Sequence, residues 1–333
     1  MTVCEAATVQ PRTLLSIQYL RGLAALTVVL HHVGWVAFPQ GAAGVDVFFV
    51  ISGFIMVHVA GRARSPAAFL WARALRVLPL YWLLTALAAA WRPGDGTGRV
   101  LASLLLWPTL RADGEWAPIL VQGWTLTYEA FFYAAFALAL LVPAHRRLLA
   151  LTGGLGMCVL VANPPLFVTP GFSPVMLVEF LGGAWLAQAW RAQRVLPPRV
   201  AWGALVSGVA LIAMQPGGTV LPWRVMAWGG PSVLVLAGAL GIEAASRLPR
   251  LPALRLLGDA SYALYLTHVM VMWAAKPLLA QFPLPVALPA LVAACIGVGI
   301  AVHLWVEVPM MALLRGWARR VRPVTPHAER ARP

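Results

Sequence analysis

The sequence predicts an all-α, polytopic transmembrane helical bundle of about ten spans, on three observations. Of 333 residues, 61% are hydrophobic and only 11% charged, where a soluble domain carries roughly a quarter. Mean hydropathy is +0.79. Apolar segments of near-span length recur along the whole chain, separated by short arginine-bearing loops. A soluble globule this apolar could not clothe its surface.

A helical span needs about 20 mostly apolar residues. Such segments lie near 15–36, 44–60, 77–91, 124–142, 147–164, 172–190, 200–214, 226–243, 262–280 and 286–313. The stretch 100–111, "VLASLLLWPTLR", is about half a span and reads as re-entrant or interfacial. Basic residues favour the cytoplasmic loops. With a cytoplasmic N-terminus and 100–111 not crossing, only Arg92, Arg99, Arg111, Arg224 and Lys276 of the 25 basic residues fall outside. Letting 100–111 cross would invert every later loop and put most basic residues outside. Ten crossings are therefore expected, with both termini cytoplasmic and a long outer loop from 92 to 123.

The net charge of +14 is then mostly a topology signal, and nucleic acid is excluded as a partner. No cleavable signal pattern precedes the first segment, so that span is expected to be retained. Residues 1–314 read as one membrane domain. The stretch 315–333, "RGWARRVRPVTPHAERARP", reads as a basic cytoplasmic tail, disordered at the membrane surface. Cys4, Cys158 and Cys295 lack metal or disulfide spacing and read as structural. No metal site is expected.

Ionisable groups at membrane depth are costly and usually face a bundle interior or a wet cavity. "RGLAALTVVLHH" places Arg21 and His32 eleven residues apart. That is about 20° from a whole number of turns and about 16 Å along the axis, so the two share a helix face. His31 is rotated about 100° away. Asp46, in "GVDVFFVISGF", starts the second span from the outside and returns to the depth of His32. A carboxylate beside a histidine fixes its tautomer and stabilises the imidazolium. Gly44 and Gly53 allow close backbone approach. Glu129, in "GWTLTYEAFFY", also falls at the outer start of a span.

Arg73 and Arg76, in "FLWARALRVLPLYW", are three residues apart and point the same way. They fall just before a span on the cytoplasmic side. They read either as positive-inside anchors or as a bidentate phosphate site. His268 in "SYALYLTH" lies two turns into a span, His303 and Glu307 in "HLWVEVP" can pair, and His58 lies near an interface. The pattern is asymmetric, with arginines at the inner mouth and His32, Asp46 and Glu129 towards the outer side.

Taken in order, "SIQYLRGLAALTVVLHH", "GVDVFFVISGFIM", "RALRVLPLYW", "WTLTYEAFFY", "SYALYLTHV" and "VEVP" resemble the acyltransferase-3 family of integral-membrane O-acyltransferases. The resemblance covers most of the chain and is nearest the exopolysaccharide O-acetyltransferase branch. It implies an acyl-CoA donor, commonly acetyl-CoA, used from the cytoplasmic side. It implies transfer to a hydroxyl of a polysaccharide or its lipid-linked sugar precursor in the bacterial inner membrane. The family's required arginine and histidine match Arg21 and His32, and its paired arginines match Arg73 and Arg76. Its motif often carries two adjacent glutamates, whereas here Glu129 is followed by Ala130. The fused soluble hydrolase-like domain of some members is not expected.

These readings combine into an expected mechanism. His32 is the general base, Asp46 or Glu129 orients it, and Arg21, Arg73 and Arg76 hold the phosphates of coenzyme A. Three other readings stand beside it. They are a secondary transporter or sugar exporter, an acyltransferase acting on a lipid, peptidoglycan or a small molecule, and a non-catalytic partner of a polysaccharide synthase. The chain shows no inverted repeat of the kind many transporters carry.

Overall fold

The computed structural model describes residues 14–33, 38–60, 65–91, 94, 96–107, 109–110, 114, 116–162, 172–216 and 223–321. Among them lie α1 (Leu15–Val33), α2 (Gly44–Ala60), α3 (Pro66–Trp91), α4 (Thr97–Leu104), α5 (Gly123–Ala139), α6 (Arg147–Ala162) and α7 (Leu177–Arg191). They continue with α8 (Pro198–Met214), α9 (Gly230–Ala244), α10 (Pro252–Asp259), α11 (Ser261–Leu279), α12 (Leu284–Val302) and α13 (Val308–Val321). Each expected span overlaps a helix among the described residues. The β pairing among the described residues is one isolated bridge, Leu110 to Trp116. Four stretches are long and apolar enough to cross a membrane: Pro39–Val59, Pro66–Trp91, Val225–Ala244 and Leu284–Trp317. The protein is an integral membrane helical bundle.

Three boundaries differ from expectation. Helix α3 begins at Pro66 rather than near 77, so Arg73 and Arg76 lie inside a candidate span rather than before it. The two arginines lower the local hydropathy, and that hid the first turns of the helix. At the far end, α13 runs to Val321, into the stretch read as a tail. Residues 322–333 lie outside the described residues, as do Cys4 and five arginines that bear on orientation, Arg12, Arg62, Arg64, Arg92 and Arg111. Third, two π turns interrupt the helices, Val225–Gly229 leading into α9 and His303–Glu307 between α12 and α13.

The half-span at 100–111 resolves into α4, eight residues long. At 1.5 Å per residue it covers about 12 Å and cannot cross. Backbone polar groups at membrane depth must be satisfied inside the protein, and here side chains do it. Tyr81 Oη donates to Ser103 O at 2.7 Å, Trp82 Nε1 to Leu104 O at 2.8 Å, and Thr127 Oγ1 to Leu106 O at 2.8 Å. Leu106 takes φ 58°, the left-handed region that turns the chain sharply out of the helix.

Small residues set how closely the helices approach. A methyl group on Gly53 would lie 1.9 Å from the carbonyl oxygen of Phe180, and one on Gly183 would lie 1.8 Å from that of Val50. Helices α2 and α7 therefore meet backbone to backbone, as small residues permit in membrane bundles. Phe180 then stacks between Phe49 and Phe132, with centroids 4.6 and 4.7 Å away. Helix α1 packs against α10, α2, α11, α9 and α12, which places its face at the centre of the bundle. Its N-terminus is capped by Glu243 of α9, which accepts from Leu15 N and Ser16 N at 2.9 Å each and from Ser16 Oγ at 2.5 Å. A carboxylate there complements the exposed N–H groups and the helix dipole.

Candidate functional site

A cavity of about 300 Å³ opens between α1, α2, α3, α5 and α11. Its polar lining comprises Arg21, Arg73, Arg76, Glu129, Ser52, Thr125, Ser261 and the tyrosines 133, 262 and 265. The rest is apolar, including Val45, Phe48, Phe49, Ile51, Val77 and Leu126. Helical periodicity explains the convergence. Arg73, Arg76 and Val77 fall on one stripe of α3, and Leu126, Glu129 and Tyr133 on one stripe of α5.

Each charged group is held differently. Arg76 pairs with Glu307 of the second π turn, and Glu307 also accepts from His303 Nδ1 at 2.8 Å. The expected His303–Glu307 pair is thus present, and it positions a cavity arginine that the sequence did not link to it. The Arg76 guanidinium also lies 5.4 Å from the centroid of the Tyr262 ring. Glu129 accepts from Ser52 Oγ at 2.5 Å and from Tyr133 Oη. Arg73 Nε is buried without a hydrogen-bond partner among the described residues, its guanidinium 6.0 Å from the Phe69 centroid. The Arg21 side chain, within α1, makes no hydrogen bond among the described residues. Three cations thus face two carboxylates, with donor capacity unspent.

His32 and Asp46 are placed elsewhere; among the described residues neither lines this cavity. His32 Nδ1 lies 2.8 Å from Val28 O. A carbonyl only accepts, so Nδ1 carries the hydrogen and the Nε2 lone pair is the basic atom. That backbone carbonyl holds the ring of His32. The His32 ring meets that of His268 edge-on, centroids 4.9 Å apart. His268 is fully buried and donates from Nδ1 to Tyr265 O at 2.7 Å. Tyr265 joins the two regions. It lines the cavity, its ring lies 5.9 Å from His268, and its hydroxyl lies 3.1 Å from Thr125 Oγ1.

Asp46 is fully buried and bound by Arg224 through two contacts, Nη2–Oδ2 at 2.7 Å and Nε–Oδ1 at 3.2 Å. Arg224 also donates to Ala42 O at 3.2 Å and lies 4.7 Å from the centroid of Trp228. Glu179, buried in α7, packs against Gly229 of the first π turn, Val225–Gly229. His32, Asp46 and Glu129, expected towards the same side, each make different contacts. Glu129 lies two turns inside α5 and joins the arginines, while Asp46 joins Arg224. Sequence reasoning missed Glu179 and Arg224 as partners, although an acid inside "MLVEFLGG" carries the same signal that marked Glu129. No group of three His, Cys, Asp or Glu side chains among the described residues could hold a metal. Cys158 and Cys295 are free thiols.

No solved structure matches the chain. It is 37% identical over 307 residues to the exopolysaccharide production protein ExoZ of Rhizobium meliloti (strain 1021), covering 85% of this chain and 93% of that protein. It is 36% identical over 150 residues to a Komagataeibacter xylinus protein provisionally named a membrane-bound transacylase, BcsY, covering 39% of this chain and 38% of that one. Nodulation protein 10 of Rhizobium leguminosarum bv. viciae is 28% identical over 277 residues, 69% and 72% of the two chains. The acyltransferase domain of the acyltransferase-3 family matches residues 14–306. The arginine-lined cavity at the centre of the bundle lies inside that match, and the chain belongs to this family of membrane acyltransferases.

Proposed function

We propose that the protein moves an acyl group, commonly acetyl, from acyl-CoA to a hydroxyl of an exported polysaccharide or its lipid-linked precursor. In this reading it crosses the bacterial inner membrane ten times with both termini in the cytoplasm. The convergence of Arg21, Arg73 and Arg76 on one cavity carries the proposal. Guanidinium groups bind phosphates bidentately, and acyl-CoA is a thioester that carries several phosphates. The similarity to a protein named for exopolysaccharide production supports the acceptor class.

The chemistry follows from the imidazole pair. The acceptor hydroxyl oxygen attacks the thioester carbonyl carbon. The hydroxyl proton passes to His32 Nε2. As the C–O bond forms the C–S bond breaks, and the coenzyme A thiolate leaves and takes the proton back from His32. Tyr265 stands between the donor cavity and the imidazoles, so the acyl end of the donor passes it to react. Glu129, fixed by Ser52 and Tyr133, presents a carboxylate to the acceptor hydroxyls. Asp46 in this reading holds the outer ends of α2 and α9 together through Arg224.

Membranes carrying the protein, incubated with radiolabelled acetyl-CoA, should transfer label to polysaccharide. General-base help is worth about two to four powers of ten, so His32→Ala should lose about that much transfer while remaining folded and inserted. Full transfer by the folded variant overturns the mechanism. Loss of O-acyl signals from the polysaccharide of a deletion strain, read by proton NMR, tests the acceptor class; an unchanged spectrum argues for the exporter or for another acceptor.

A further inference from the structure

A second cavity, also about 300 Å³, adjoins the first. The two share Arg73, Val77, Leu126, Glu129 and Tyr133. Beyond that shared polar end the second is apolar, walled by Leu70, Ala74 and Leu78 of α3, Leu104–Leu106 at the broken end of α4, and Ala130 of α5. From Leu70 to Trp82 it follows α3 for about 18 Å. Its outer rim faces the bilayer, with Leu70 and Trp82 exposed and Leu105 exposed to 79%. The shape is that of an amphiphile site, with charge at the inner end, hydrocarbon walls along a groove, and one side open to lipid.

We propose that this groove holds the hydrocarbon tail of a lipid-linked sugar acceptor, whose sugar hydroxyls turn inward to Glu129. This rests on the acyl-transfer reading and selects within it the lipid-linked precursor over finished polysaccharide. Two features favour the acceptor's tail over a long acyl chain on the donor. A two-carbon acyl group needs none of this length. A chain arriving with a water-soluble donor through the arginine cavity would also call for an enclosed pocket, whereas this groove is open to the membrane along its side. Arg21 and Arg76 line the first cavity only, leaving the donor its own cations.

The test is photochemical and does not depend on turnover. The full-length protein, with p-benzoylphenylalanine in place of Leu105, is placed in phosphatidylethanolamine–phosphatidylglycerol vesicles doped with a polyprenyl-diphosphate hexose and irradiated. The adduct with the polyprenyl-linked hexose should exceed its mole fraction about tenfold or more, a preference of about 1.4 kcal/mol. Ala74→Phe or Ala130→Phe, each blocking the groove from a different helix, should return the adduct to its mole fraction. Three results overturn the proposal: adducts with all lipids in proportion to abundance, an enrichment that neither blocking variant lowers, or displacement of the adduct by palmitoyl-CoA but not by acetyl-CoA. The last would give the groove to the donor's chain. An enriched adduct in a protein that transfers no acetyl label would instead count against the acyl-transfer reading alone.

Discussion

Two buried clusters in this bundle are made from the same materials. One is Arg21, Arg73 and Arg76 with Glu129 and Glu307, and the other is Arg224 with Asp46 and Glu179. Each is anchored by a π turn, Glu307 on His303–Glu307 and Arg224 just before Val225–Gly229. Such turns widen a helix locally and concentrate at functional positions. They differ in what is left over. Around Arg224 the guanidinium is spent on Asp46, a carbonyl and an indole face, and acids outnumber bases. Around the cavity bases outnumber acids, and Arg21 and Arg73 keep donors unspent beside open volume. At the closed cluster what is left over is acid, since both carboxylate oxygens of Glu179 are buried without a hydrogen-bond partner among the described residues. A cluster whose cation is spent ties helices together, and one with cation donors unspent beside a cavity waits for an anion. Charge inside a membrane protein marks function, and the comparison adds that the stoichiometry says which kind.

The largest expected effect tests the closed cluster. Removing one partner of a buried pair costs about 3–5 kcal/mol, whereas replacing both with apolar groups is often neutral or stabilising. Arg224→Met should therefore lower the thermal unfolding midpoint in detergent sharply, and Arg224→Met with Asp46→Leu should restore most of it. If the folded double variant has lost acetyl transfer, Asp46 belongs to the chemistry and the contrast between the clusters fails.

The open cluster should respond in kinetics instead. Charge-assisted hydrogen bonds are worth about 1.5–3 kcal/mol each, so Arg73→Ala should raise KM for acetyl-CoA about tenfold or more. Arg73→Ala with Arg76→Ala should raise it further, with the unfolding midpoint little changed. Donor kinetics unchanged in both would reduce these arginines to membrane anchors. Smallest of all is Glu307→Gln, which keeps an oxygen to accept from Arg76 and removes only the charge. A rise of about threefold in donor KM is expected, near 0.65 kcal/mol at 1.4 kcal/mol per decade. A loss of the folded protein would place Glu307 with the closed cluster.

Much of this was legible in the chain. Hydrophobic length located each long helix, the cost of charge in hydrocarbon picked out Arg21 and Glu129, and helical spacing paired Arg73 with Arg76; all four meet at one cavity. Pairing was not legible, because one helix's periodicity fixes a face but not the neighbour it meets. Asp46 and His32 are expected at similar depth on adjacent segments, yet Asp46 finds Arg224, 178 residues away. Arg76 finds Glu307 at a separation of 231. The start of α3 was hidden for a related reason: arginines that face a cavity lower hydropathy as much as arginines in water do.

The glycine contact between α2 and α7 bears on motion. With Gly53 against the Phe180 carbonyl and Gly183 against that of Val50, neither helix can ratchet past the other without a steric collision. These two behave as a single plank, and Ser52, which steadies Glu129, rides on it. Breathing that admits or releases a substrate then falls to the other walls of the cavity, formed by α1, α3, α5 and α11.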